Sequence, residues 1–131
     1  MISNITMKNL ILEKSSSTPS IDFNFNTGIL KMEGRSIPED PGDFYDKIFN
    51  WVDNYYQNPK EITKVDLQLE YINSGSSKYI LGFLKIIEQK YSGGKDCIIN
   101  WYYEEDDESV LELGEHFKSL LKVPFNLIEI Y

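Results

Sequence analysis

The chain has 131 residues, of which 41% are hydrophobic and 14% aromatic, so it can form one globular domain over residues 1–131 and is not a disordered polymer. Lys and Arg total 13 against 21 Asp and Glu, and the formal net charge of −8 argues against nucleic acid or an anionic membrane as the main partner. No apolar run reaches the ~20 residues that span a bilayer, no signal peptide is visible, and the lone Cys97 excludes a disulfide framework within the chain. We therefore expect a cytoplasmic protein.

The N-terminal part of the chain predicts three strands. A first strand with imperfect alternation is expected around Met7–Leu12, and a Ser-rich loop follows. Apolar and polar residues then alternate, with Ile21, Phe23 and Phe25 on one side. The turn at residues 26–28 leads into a strand over Ile29–Glu33, so the second and third strands should form a hairpin. Residues 34–42, rich in Gly and Pro, are interpreted as a shaped turn.

The first helix has two possible starts. Ser36 with Glu39 fits a capping box, whereas Asp40 followed by Pro41 fits an N-cap with proline at the first helical position. We favour Asp40, because a helix that began at Ser36 would carry a proline in its interior. The helix should end at about Tyr56.

The central segment predicts a strand, a short polar elbow and an amphipathic helix. The strand alternates, with one apolar side made of Val65, Leu67, Leu69 and Tyr71. The elbow is the stretch of small polar residues at 73–77. The helix that follows has an apolar stripe at spacings of three and four, made of Ile80, Phe83, Leu84, Ile87 and Tyr91.

The elbow supports two interpretations. The first amides of a helix have no intrahelical acceptor and lie at the positive end of its dipole, so a phosphate attached there would be tolerated. Ser74 could therefore be a modification site. Ser74 could instead be an ordinary N-cap whose hydroxyl accepts from the backbone amide of Ser77. From the elbow alone we favour the N-cap, because serine caps are very common.

The C-terminal part predicts a strand over Asp96–Tyr102, an acidic run at 104–108, a helix and a final strand over Phe125–Ile130. The whole order is β-β-β-α-β-α-β-α-β, which predicts an α/β fold with a mixed sheet and helices packed on it. Functional positions in such sheets tend to lie at the carboxyl ends of parallel strands. The elbow and the acidic run are both such places.

No pattern of catalytic residues is present in the sequence. The acidic run is best interpreted as a favourable helix start, with a role in a partner surface left open. His116 has no matching base or nucleophile and is expected on a helix surface, and Cys97 is expected to be a buried, inert thiol. We therefore expect no enzyme activity, no cofactor and no metal.

Three motifs together resemble one family. They are Gly-Arg-Ser-Ile-Pro-Glu at 34–39, Tyr-Ile-Asn-Ser at 71–74 and Trp-Tyr-Tyr at 101–103. In this combination the chain resembles the SiaC-like regulatory phosphoproteins of bacteria over nearly its whole length. The resemblance implies a single STAS-like domain, related in fold to anti-sigma-factor antagonists. It also implies a non-enzymatic switch.

In that family the hydroxyl residue after the elbow asparagine is phosphorylated by a dedicated protein kinase, and a PP2C-type phosphatase removes the phosphate. The unphosphorylated form binds and activates a diguanylate cyclase, which raises cyclic di-GMP and favours biofilm. On this chain the resemblance makes Ser74 the acceptor, with Ser76 as a fallback, although Gly75 stands where the family often has a hydroxyl residue. The predicted partner-binding residues are Asn73, Ser76, Ser77, Lys78 and Arg35. The alternative is an interaction module that uses the same surface without modification.

Overall fold

The computed structural model describes residues 7–130. Residues 1–6, where no signal peptide was expected, and Tyr131 lie outside the described residues. The elements are β1 (Leu10–Leu12), β2 (Ser20–Asn24), β3 (Ile29–Ser36), α1 (Pro41–Tyr55), β4 (Ile62–Ile72), α2 (Ser74–Ser92), β5 (Asp96–Glu104), α3 (Glu108–Leu120) and β6 (Phe125–Ile130). The predicted order of strands and helices is confirmed. The first strand is shorter than predicted and begins at Leu10.

The six strands form one mixed sheet in which spatial order equals chain order. β1, β2 and β3 pair antiparallel, which confirms the hairpin, and β3 to β6 pair parallel. The prediction that β3 ends at Glu33 is wrong. Gly34 pairs with Leu69 and Arg35 pairs with Glu70. Pairing with β4 therefore keeps this stretch extended, although its glycine content predicted a turn.

All three helices cover one face of the sheet. A row of paired, buried residues crosses this face, made of Phe23, Leu30, Val65, Ile99 and Phe125. The Phe23 ring lies 5.4 Å from the ring of Trp51 in α1 and 5.7 Å from that of Phe83 in α2. Trp101, on the same face, donates its indole N–H to the carbonyl of Val110 in α3 at 3.0 Å. When parallel strands follow one another in chain order and every crossover is right-handed, all the connecting helices lie on the same side of the sheet.

Within residues 7–130 no helix covers the opposite face, which a row of polar residues crosses. The row next to the core row reads Asp22, Lys31, Asp66, Asn100 and Asn126 across five strands. Asn100 donates its side-chain amide to Asp66 at 3.0 Å, and Asn126 donates to Asn100 at 3.1 Å. These cross-strand bonds give the side-chain amides of Asn100 and Asn126 acceptors on the neighbouring strands.

The start of α1 confirms the favoured prediction. Asp40 is the N-cap, its carboxylate accepts from the backbone N–H of Asp43 at 3.1 Å, and Pro41 is the first helical residue. None of the helices within residues 7–130 is both long and apolar enough to cross a membrane.

Candidate functional site

The candidate site begins with a bulge at the end of β4. Arg35 pairs with Glu70 and Ser36 with Ile72, so Tyr71 is an extra residue without a partner. Tyr71 adopts φ = 50°, the left-handed region that non-glycine residues rarely occupy. The bulge turns Tyr71 outward, with 64% of its surface exposed, and Ile72 packs against the core instead. The prediction that Tyr71 belongs to the buried side of the strand is therefore wrong.

Asn73 holds the elbow and starts α2. Its backbone is extended (ψ = 166°), and its side-chain oxygen accepts from the backbone N–H of Ser76 at 2.8 Å. Its own N–H donates to the Ser36 carbonyl at 3.2 Å, which ties the elbow to the end of β3. Asn73 is thus the N-cap, and the interpretation of Ser74 as the cap is wrong.

Ser74 is the first residue of α2 and is exposed to solvent. Since Asn73 supplies the cap, the Ser74 hydroxyl is not needed for the helix start. The hydroxyl of Ser77 donates to the carbonyl of Ser74 at 2.9 Å. The predicted acceptor is therefore an accessible hydroxyl on a fixed backbone.

Ser76, the fallback acceptor, is fully buried, and its hydroxyl finds no hydrogen-bond partner within the described chain. Its burial follows from helical phase, because Ser76 lies four residues before Ile80 and seven before Phe83 on the buried stripe. A protein kinase or a docked partner cannot reach this hydroxyl in the folded state. The structure thus argues against Ser76 both as an acceptor and as a partner-binding residue.

The two predicted cations lie at the surface. Lys78 is exposed on α2, one helical turn after Ser74. The guanidinium of Arg35 lies 5.0 Å from the centre of the Tyr71 ring, and its Nε lies 3.8 Å from a carboxylate oxygen of Glu70. The bulge therefore brings Arg35 and Tyr71 together, a contact that the sequence pattern did not indicate.

A packed aromatic layer supports the elbow from below. The Ser36 and Tyr45 hydroxyls are 2.6 Å apart, and both residues are fully buried. Burial raises the pKa of Tyr45 to about 12, against the opposing effect of the hydrogen bond with Ser36. The Tyr45 ring stacks on that of Tyr79 at 5.7 Å, which joins α1 to α2. The elbow thus lies on a rigid base.

The other candidate residues stay apart from this site. Cys97 is buried as expected, and burial raises the pKa of its thiol to about 11. His116 is exposed on α3, as expected. The acidic run leads into α3, where Asp107 is the N-cap and accepts from the N–H of Val110 at 3.1 Å. This geometry confirms the interpretation of the run as a helix start.

Comparison with known proteins agrees with this geometry. A family model described as the SiaC family regulatory phosphoprotein matches residues 12–130. The chain belongs to the SiaC family.

Relatives of this chain come from Pseudomonas aeruginosa. An uncharacterised protein of strain UCBPP-PA14 is 30% identical over 91% of this chain and 94% of its own length. The solved structure of SiaC is 27% identical and superposes with a TM-score of 0.88, over 95% of this chain and 100% of SiaC. SiaC in complex with the diguanylate cyclase SiaD, of which it is the activator, is 29% identical and superposes with a TM-score of 0.87, over 92% and 99%. The predicted relationship to STAS domains stays a prediction.

Proposed function

We propose that this SiaC-family protein is a non-enzymatic partner switch, a single domain controlled by reversible phosphorylation of Ser74. A cognate protein kinase adds the phosphate and a PP2C-type phosphatase removes it. The unphosphorylated form binds and activates an effector such as a diguanylate cyclase. The observation that carries the proposal is the exposed hydroxyl of Ser74 at the first position of α2, where Asn73 already supplies the cap.

The helix start makes the phosphorylated state compatible with the fold. A phosphate on the first helical residue faces backbone amides without intrahelical acceptors, and the helix dipole favours its negative charge. The positive side chain of Lys78 one turn later adds a further attraction. Phosphorylation should therefore leave the folded structure intact and act through the surface.

The surface change is large for a protein of this charge. The chain already carries −8, and the phosphate adds about −1.5 to −2 at neutral pH. A partner docked over the elbow would meet this charge at close range, whereas a partner elsewhere would be screened from it beyond a Debye length of about 8 Å. The switch is therefore local and electrostatic.

Phosphopeptide mapping after incubation with the cognate kinase tests the acceptor. We expect phosphate on Ser74 and none on the Ser74→Ala variant. Ser109→Ala is the matched control, because Ser109 is also an exposed serine in the first turn of a helix. Phosphate that persists on Ser74→Ala at the wild-type level would contradict the assignment. Equal effector binding by the wild type and the Ser74→Asp variant would favour the unmodified interaction module instead.

A further inference from the structure

The bulge beside the elbow has two features that folding alone does not favour. Tyr71 occupies the left-handed region at φ = 50°, where a residue with a Cβ is strained. It also exposes 64% of its surface, although it is a large aromatic side chain. Bulges are a known means of re-aiming a side chain near a functional site, and exposed Tyr and Arg are enriched among interface hot spots. Both features are what we would expect of an interaction surface.

The side chain of Arg35 is half exposed, and its guanidinium makes a long contact with Glu70. The central carbon of the guanidinium lies 5.0 Å from the centre of the Tyr71 ring, within the range of a cation–π contact. Its only salt-bridge partner among residues 7–130 is Glu70, and the N···O distance of 3.8 Å is longer than a charge-assisted hydrogen bond. Both side chains are about half exposed, at 48% and 50%. Arg35 can therefore exchange Glu70 for a better-placed carboxylate.

A loop completes the wall of this surface. Lys14, Ser15 and Ser16 line an open cavity of about 380 Å³ together with Arg35 and Glu70. The loop is fixed to the end of β3, because the N–H of Ile37 donates to the Ser17 carbonyl at 2.9 Å. Two cations and one carboxylate thus line this cavity, which leaves it with a net positive charge in a strongly acidic chain, and this charge suits an anionic group on the partner.

We propose that Arg35 and Tyr71, with Lys14 on the facing wall, form the docking site for an acidic side chain of the effector. The partner's carboxylate pairs with Arg35, and an apolar neighbour of that residue packs on Tyr71. The inference rests on the proposed function and locates its binding surface. Tyr71 precedes Ser74 by three residues, so at most about 11 Å of chain separates them, and a phosphate on Ser74 should repel the same carboxylate.

Binding of the purified diguanylate cyclase of the same organism to the unphosphorylated protein tests this site. Arg35→Ala and Tyr71→Ala should each raise the dissociation constant about tenfold. Tyr71→Phe should retain the wild-type affinity, because its ring still contacts the guanidinium. Glu70→Gln should tighten binding, since the competing carboxylate is removed. Lys118→Ala, the loss of an exposed cation on α3, is the matched control and should leave affinity unchanged. Thermal unfolding of each variant reports whether the fold is retained.

The outcomes separate this inference from the proposed function. Wild-type affinity in folded Arg35→Ala and Tyr71→Ala overturns the docking site while the switch itself stands. A loss with Arg35→Ala that is seen only in the phosphorylated protein also overturns it, because the guanidinium would then serve the phosphate. Absence of cyclase binding by the unphosphorylated wild type overturns the proposed effector, and the docking site with it.

Discussion

The side-chain oxygen of Asn73 accepts a hydrogen bond from the backbone N–H of Ser76 at 2.8 Å, and this bond starts α2. Asn73→Ala should therefore destabilise the protein by about 1 kcal/mol, the usual effect of losing an N-cap. Ser74→Ala should change the free energy of unfolding by less than about 0.5 kcal/mol, because its hydroxyl is exposed and is not the cap. Urea unfolding measures both. A larger loss with Ser74→Ala than with Asn73→Ala would contradict the assignment of the cap.

A phosphate on Ser74 should titrate at lower pH than phosphoserine in an unfolded peptide, whose second pKa is about 6. The helix amides and the cation of Lys78 both favour the dianion. Phosphoserine incorporated at position 74 during synthesis and followed by ³¹P NMR through pH 4–8 measures this without the kinase. Lys78→Gln should raise the second pKa of the phosphate towards its value in the unfolded peptide. Lys118→Gln, on α3, should leave that pKa unchanged. Identical titration of the folded and urea-unfolded protein would exclude the interaction.

Gly114 packs its backbone directly on the indole of Trp101. A Cβ at Gly114 would lie 2.5 Å from two atoms of that indole and 2.9 Å from Leu127. Gly114→Ala should therefore destabilise by about 1–3 kcal/mol through overpacking. Gly82 in α2 is the matched control, since its Cβ would lie 3.6 Å from Phe49. Gly82→Ala should stabilise by about 0.5–1 kcal/mol, and thermal unfolding should give opposite signs for the two variants.

The strain at Tyr71 can be measured separately from its contacts. Tyr71→Gly and Tyr71→Ala both remove the ring, but only glycine adopts φ = 50° without strain. The glycine variant should therefore be more stable than the alanine variant by about 1 kcal/mol. Lys31 is an ordinary exposed position of β3. There the glycine variant should be less stable than the alanine variant, because glycine weakens a regular strand. Chemical denaturation of the four variants decides the sign at each site.

The stability of the protein should fall in alkaline solution. Burial raises the pKa of Tyr45 from 10.0 to about 12, so the folded state keeps a proton that the unfolded state releases. The stabilisation that comes from protonated Tyr45 is complete below pH 10 and is lost as the pH rises towards 12. The loss for this one group is at most about 1.4 kcal/mol per pH unit. Urea unfolding between pH 8 and 11 should show the decline. Tyr45→Phe should be less stable than the wild type at pH 8, because Ser36 loses its partner, but the stability of the variant should decline less steeply with pH.

The order of elements and the start of α1 were predictable because they depend on local signals. Alternation identified the strands, and Asp40 before Pro41 identified the helix start. The bulge was not predictable, because the alternation of β4 continues through Tyr71 without any mark of an extra residue. The extra residue is set by pairing with β3, where Ser36 meets Ile72 and accepts from Asn73.

The candidate site was predictable in part. Asn and Ser are both good N-caps, so Ser74 was an acceptable cap by residue type, and the extended backbone fixed by the Ser36 carbonyl makes Asn73 the cap instead. The burial of Ser76 did have a signal, since its spacing to Ile80 places it on the apolar stripe of α2.

The agreement between strand order and chain order has a consequence for biosynthesis. Every ladder joins strands that are neighbours in the chain, so no strand has to await a distant downstream segment before it pairs. The sheet can therefore grow strand by strand as the ribosome releases the polypeptide, with β6 added last at the edge. All parts of the elbow precede α3 and β6, so the nascent chain can place Ser74 at the start of α2 before translation is complete.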